Sequence, residues 1–217
     1  MPRKRSNPLA LGVLVFLFER PMHPYEMAAT LRERHKEESI KLRYGSLYTV
    51  IGLLENSGLI RPKETTRDGN RPERTVYELT PAGEEEMREW MREILRTPVK
   101  EFPQFEAGLS LLPALPPEEA ARLLDGRIDL LDNEIEKVNA GLRETKAMKL
   151  APLFAIESEY RLAGLKMERA FVENLVVRIR KDGCGFRKKW VKFHAQKAHA
   201  QSNRNVVRGR KRTAKTT

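Results

Sequence analysis

Apolar residues fall on the chain in blocks with different periods, and the blocks predict its elements. From Leu9 to Phe18 the run is apolar nearly all round and is broken at Glu19-Arg20-Pro21. This suits a buried central helix over Leu9–Glu19. Tyr25 to His35 follows with Met27, Ala28 and Leu31 at helical spacing, then a polar connector from Lys36 to Arg43. In the next block Leu47, Val50, Ile51 and Leu54 repeat at i, i+3, i+4 and i+7, which gives a third helix with one buried face, closed by Ser57-Gly58. Its opposite face carries Gly45, Thr49, Gly52 and Asn56. Strand-like segments, Ile60 to Thr65 and Arg74 to Leu79, flank Arg67-Asp68-Gly69-Asn70, whose Gly and Asn allow the positive φ of a tight hairpin. Thr80-Pro81 then supplies an N-cap hydroxyl and a preset first-turn φ for a helix to about Thr97. Helix, two-stranded wing, helix is the order of a winged helix-turn-helix domain, placed at 1–97.

After a break at Thr97 to Pro103 the pattern changes. A short helix near Gln104 to Leu112 precedes Pro113-Ala-Leu-Pro-Pro, and from Glu118 the residues Leu124, Ile128, Leu131, Ile135, Val138 and Leu142 are spaced alternately four and three apart. This is a heptad seam. To about Leu150 that helix is roughly 50 Å long at ~1.5 Å per residue, too long for a domain of this size to cover from within. Pro152 restarts the chain, and Phe154 to Arg180 forms a second long helix with Leu165, Val172, Leu175, Val176 and Ile179 along one stripe. The fold class expected is mainly α: the winged-helix domain followed by a helical, coiled-coil-like dimerisation domain at 103–182. A simple internal hairpin of the two long helices is the alternative. Against it, Leu130, Leu153, Phe154, Leu162 and Phe171 would still lack cover, and a dimer supplies it.

Charge changes the picture only at the end of the chain. The formal net charge is +11, yet from Gly183 to Thr217 there are eleven Lys/Arg and no Asp/Glu, so residues 1–182 balance. The basic excess therefore belongs to a tail, 183–217, and not to the fold. There Phe186, Trp190 and Phe193 interleave with Arg187, Lys188, Lys189 and Lys192, which suits contact with phosphate and bases. A disordered, solvated extension has the same composition, and the tail is read as such. Arg3-Lys4-Arg5 before the first apolar run resembles a signal peptide, but no small-residue cleavage site follows and ten apolar residues are about half of a membrane span. The single cysteine, Cys184, excludes an internal disulfide, and no Cys/His cluster suits zinc. A cytoplasmic protein with no cofactor and no metal is expected. There is no phosphate loop or nucleophile elbow to support an enzyme, and Glu84-Glu85-Glu86 reads as a solvated helix face.

Three segments carry a family resemblance: Met22-His-Pro-Tyr-Glu-Met, Tyr44-Gly-Ser-Leu-Tyr leading through Leu54-Glu55 to Ser57-Gly-Leu-Ile, and Tyr77-Glu-Leu-Thr-Pro-Ala-Gly. With Phe102-Pro-Gln-Phe and the two long helices, about residues 8–182 resemble a PadR-type transcriptional regulator with a C-terminal dimerisation domain. Many members have Gly where this chain has Pro24, and the basic tail lies outside the family pattern. The resemblance implies a homodimeric repressor, C-terminal helices that contact each other between subunits, and in some members a small hydrophobic or phenolic inducer.

A recognition helix enters the major groove with its N-terminal half. Here Gly45, Thr49 and Gly52 would let the backbone come close, and Tyr48 would reach a phosphate or a thymine methyl. Tyr44 and Tyr48 serve equally well as braces for the helix, and Ser46 suits a cap better than a base contact. On the wing, Lys63, Arg67, Arg71 and Arg74 are candidate phosphate or minor-groove contacts, with Arg67 and Arg71 flanking the turn. Arg3, Lys4 and Arg5 read as an arm able to add non-specific contacts. The expected dimer interface comprises Leu124, Ile128, Leu131, Ile135, Val138, Leu142, Leu165, Val172, Leu175 and Ile179. Together these readings describe a homodimeric, ligand-responsive repressor on an inverted-repeat operator in double-stranded DNA, with no membrane partner. Its rivals are an architectural DNA binder dominated by the tail, and a protein-interaction module that uses the heptad helix.

Overall fold

The computed structural model describes residues 5, 7–41, 44–66, 74–181, 185 and 187–197, except the side chains of 38, 44, 65, 66 and 74. They fall into two compact units, Met1–Glu101 and Phe102–Thr217. The first contains α1 (Pro8–Glu19), α2 (Pro24–Glu33), α3 (Tyr44–Asn56), the strands β1 (Ile60–Thr66) and β2 (Arg74–Leu79), and α4 (Pro81–Arg96). The apolar run does form the central helix: in α1 Leu9 to Leu14, Phe16 and Leu17 are all buried. Around it pack Met27, Ala28 and Leu31 of α2, Leu47, Val50, Ile51 and Leu54 of α3, Ile60 of β1, and Met87 and Trp90 of α4. By propensity α3 is a poor helix, since Gly45 and Gly52 cost it up to about 1 kcal/mol each. Four buried side chains at roughly 1.5–3 kcal/mol each outweigh that, so packing and not propensity holds α3.

The caps follow the sequence. Asn7 Oδ1 accepts from the Leu9 amide at 3.1 Å to open α1. At α2, His23 Nδ1 accepts from Tyr25 N at 3.1 Å while Glu26 Oε2 accepts from His23 N at 2.8 Å, with Pro24 at the first helical position. Pro24 thus opens the helix and does not break it. Arg5 makes no free arm: its guanidinium donates twice to Glu86, at 3.0 and 2.9 Å, and once to Glu93 at 2.7 Å. Two carboxylates about two turns apart on one face of α4 together hold it; Arg3 and Lys4 lie outside the described residues.

The second unit contains α5 (Gln104–Ser110), α6 (Pro117–Ala147), α7 (Ile156–Arg180) and a further helix, α8 (187–197). The helices α6 and α7 form an antiparallel hairpin framed by Arg180–Asp125, by Arg169 Nε–Asp132 at 2.6 Å, and by Arg127 Nε–Glu168 at 2.6 Å. Pro152 starts the return, through the 3₁₀ turn Pro152–Ala155. Much of the expected seam is covered within one chain. Leu124, Val172, Leu175 and Ile179 are buried with Ala120, Ala121, Val176 and Trp190 inside one chain, with Ile128 packed against them. Leu131 is buried too, and Ile135, Val138, Leu142 and Leu165 are half-buried. A heptad seam states that a stripe is covered, not by which helix, and here α7 lies against α6 in the same chain. Among the residues left open are Leu123, Leu130, Leu153, Phe154, Tyr160, Met167 and Phe171, with Leu130 at 67% and Met167 at 67% exposure.

Residues 187–197 are helical, and Trp190 joins the core of the second unit at 5% exposure. Composition hid this, because one buried aromatic among lysines is enough to dock a three-turn helix yet barely moves an average over the segment.

Candidate nucleic-acid interface

The apolar face of α3 is fully buried, so its other face is fixed outward by helical geometry alone. Gly45, Ser46, Tyr48 and Thr49 are exposed and Gly52 is half-buried. Among the described residues, a Cβ built on Gly45 or on Gly52 would meet no atom within 4 Å beyond its chain neighbours and its own helix backbone. The fold therefore does not require either glycine, and both leave the helix backbone open to something outside the chain. Thr49 Oγ1 donates to Gly45 O at 2.9 Å, so its hydrogen is used on its own helix and its methyl and lone pairs remain for an external partner. Tyr48 is 54% exposed and does not act as a buried brace. The backbone of Tyr44 begins the helix, while its side chain lies outside the described residues. Ser46, expected to cap, is the third residue of α3, because the helix starts two residues earlier at Tyr44.

The wing pairs Ile60 with Leu79, Arg61 with Glu78 and Pro62 with Tyr77, then resumes at Glu64 with Val76. Lys63 is the extra residue of a bulge that follows a proline unable to donate to the ladder. Its exposed side chain lies 4.0 Å from Glu78, which also accepts from Arg61 at 2.7 Å. Arg61 is a second exposed cation on the same strand, and the strand register sets Glu78 against both. Arg67 and Arg71 lie outside the described residues, as does the side chain of Arg74, whose backbone opens β2.

Two further residues fix α3 against the wing. Tyr77 exchanges backbone hydrogen bonds with Met22, at 3.1 and 3.0 Å, which makes the segment before α2 a third short rung on the sheet. Its hydroxyl donates to Glu55 of α3; burial, and then the Glu55 charge, push it above the ordinary tyrosine range and keep it a donor. At the start of α4, Thr80 Oγ1 donates to the carbonyls of Gly58 and Leu59, at 2.7 and 3.0 Å, and accepts from Gly83 N at 3.0 Å. A Cβ on Gly83 would lie 2.0 Å from Leu59 O. The Thr-Pro-Ala-Gly sequence thus locks the end of α3, the root of the wing and α4 into one piece. The signal for Gly83 was present in the sequence, but a glycine in a helix's first turn does not announce what it must clear.

Residues 13–89 match the sequence model of the transcriptional regulator PadR-like family. The matched segment runs from α1 to α4 and so takes in the winged helix. Among solved structures that share the fold of the chain is PadR of Bacillus subtilis in complex with operator DNA, 18% identical, with a TM-score of 0.62 over 80% of this chain and 99% of that one. The same protein in complex with p-coumaric acid is 18% identical, TM-score 0.64, over 79% and 98%. The PadR-like regulator BC1756 of Bacillus cereus is 15% identical, TM-score 0.55, over 80% and 99%. No curated protein sequence matches the chain. The family match is confined to the winged-helix unit, and the fold match extends beyond it into the helical unit. Among the described residues no group of His, Cys, Asp or Glu is placed to hold a metal ion, and no helix is long and apolar enough to cross a membrane.

Proposed function

We propose that the chain is a homodimeric, ligand-responsive transcriptional repressor that binds an inverted-repeat operator in the cytoplasm. The observation that carries this reading is the open face of α3, where Thr49 is exposed and a Cβ on Gly45 or Gly52 would meet nothing among the described residues beyond their own helix. Small side chains there let the helix sit deep in the major groove, and Thr49 offers a methyl to thymine and an oxygen to a base-edge donor. Tyr48 beside them, and Lys63 and Arg61 on the wing, supply phosphate contacts that set the register. Arg67, Arg71 and Arg74 are assigned to the same wing surface from the sequence.

Support for the dimer comes from the stripe that the α6–α7 hairpin leaves open, Leu123, Leu130, Phe154, Met167 and Phe171, which one chain does not cover. The expected seam residues act behind it, as the packing that shapes the stripe. Two linked winged helices turn one weak half-site contact into a strong paired one. A small hydrophobic or phenolic effector is proposed from the p-coumaric acid complex of the Bacillus subtilis protein.

Selection of binding sites from a random duplex pool tests the reading: an inverted repeat should emerge, and Thr49→Glu should abolish its binding while the fold persists. A carboxylate on that face meets the phosphate-lined groove, whereas Leu47, Ile51 and Leu54 are untouched. A pool that converges on no sequence would leave the architectural alternative, which the basic charge after Gly183 favours.

A further inference from the structure

The helix α8 has two unlike faces. Arg187, Trp190 and His194, at i, i+3 and i+7, face the stretch from Pro113 to the first turn of α6. The Trp190 indole donates from Nε1 to Leu115 O at 2.7 Å, and Arg187 pairs with Glu118. His194 Nε2 lies 3.0 Å from Pro113 O, which can only accept, so that nitrogen carries the proton. The other face is cationic. Lys188, Lys189 and Lys192 are exposed, and among the described residues none of them pairs with a carboxylate. The sequence beyond Lys197 adds six Lys/Arg and no acid.

A basic helix with an aromatic residue is also the composition of a membrane-surface helix, which needs its apolar face free to enter the bilayer. Here little of such a face is available: Trp190 is 5% exposed, and the apolar residues left outward are Val191 at 44% and Phe193 at 45%, the latter with Lys197 Nζ 4.7 Å from its ring centroid. What remains outward is charge on a rigid mount, the arrangement that suits the regular phosphates of a duplex. We infer that α8 is a second DNA contact of this chain, a docked helix whose Lys188, Lys189 and Lys192 bind the phosphate backbone of double-stranded DNA without reading sequence. The inference rests on the chain acting on DNA, but it concerns a different surface from α3. It also explains why this segment is ordered against the body: a helix held by three anchors loses less freedom on binding than a loose tail, so each phosphate contact retains more of its free energy.

The test uses the full chain and the triple variant Lys188→Gln, Lys189→Gln, Lys192→Gln, with binding to the selected operator and to a random-sequence duplex followed by fluorescence anisotropy across salt concentrations. The three side chains are exposed, so the circular dichroism spectrum and melting point should match the parent. The variant should bind both duplexes more weakly, and the slope of log K against log salt should become shallower by up to about 3 units, at ~0.9 per phosphate contact. The operator-to-random ratio should be preserved or raised. An unchanged slope with the operator preference intact would overturn the role of α8 and leave the α3 reading standing. A shallower slope in a protein with no operator preference would do the reverse. Binding of the parent to phosphatidylserine vesicles that the variant loses, with DNA binding unchanged, would overturn the inference in favour of a membrane.

Discussion

Replacing Gly52 by alanine should move stability and DNA binding in opposite directions. Gly52 lies in the interior of α3, and a Cβ there meets nothing within 4 Å. In the free protein the substitution therefore brings no clash and recovers the helix propensity that glycine forfeits, about 1 kcal/mol. For a cooperative unit of this size that corresponds to a rise of roughly 4–8 °C in Tm. On operator the same methyl occupies space reserved for close approach of the helix to the groove. Pushing a helix back by even part of a methyl radius lengthens several backbone–phosphate contacts together, and losing one or two, at ~1–1.5 kcal/mol each, lowers affinity by about tenfold or more. Thermal unfolding by circular dichroism and anisotropy on the selected operator measure the two effects on one preparation. A variant that melts higher and binds operator like the parent would refute the argument that the glycine serves DNA approach. One that melts lower would refute the open geometry itself.

Gly83→Ala should have the reverse outcome for stability: its Cβ would sit 2.0 Å from Leu59 O, a backbone atom that cannot step aside without disturbing the Thr80 cap. A loss of about 2 kcal/mol in urea unfolding is expected, larger than any propensity gain. In the helical unit, Leu130→Glu combined with Phe171→Glu should give a folded monomer by sedimentation, whereas Leu131→Asp should unfold the hairpin, because Leu131 is buried within one chain. Unchanged mass for the first variant would remove the open stripe from the dimer. Acid should weaken the winged-helix unit through Glu26 and Glu19. The His23 amide hydrogen bond to Glu26, and the Arg34 guanidinium bonded to Glu19, hold both carboxyls below the ordinary 4.5. Their stabilising effect is complete above 4.5 and is lost as pH falls through the lower folded values, so Tm should decline below that point and Glu26→Gln should flatten the decline.

The periodicities alone located α1 to α4, the wing and the two long helices, because each element's core face is written in local spacing: Leu47, Val50, Ile51 and Leu54 can form one stripe only on a helix. The outward face of α3 followed from the same spacing, and with it Gly45, Thr49 and Gly52. The sequence did not say which surface covers a stripe. The seam from Leu124 to Leu142 carries the same pattern whether α7 of its own chain or a second chain lies on it, and the tertiary structure placed α7 there. Nor did it show Tyr77 tied to Met22 and Glu55, Gly83 pressed on Leu59 O, or Arg5 held by Glu86 and Glu93, since those partners are brought together only by folding. The order in α8 was missed for the same physical reason: a single indole hydrogen-bonded to Leu115 O is a long-range contact, and long-range contacts leave no mark in composition or period.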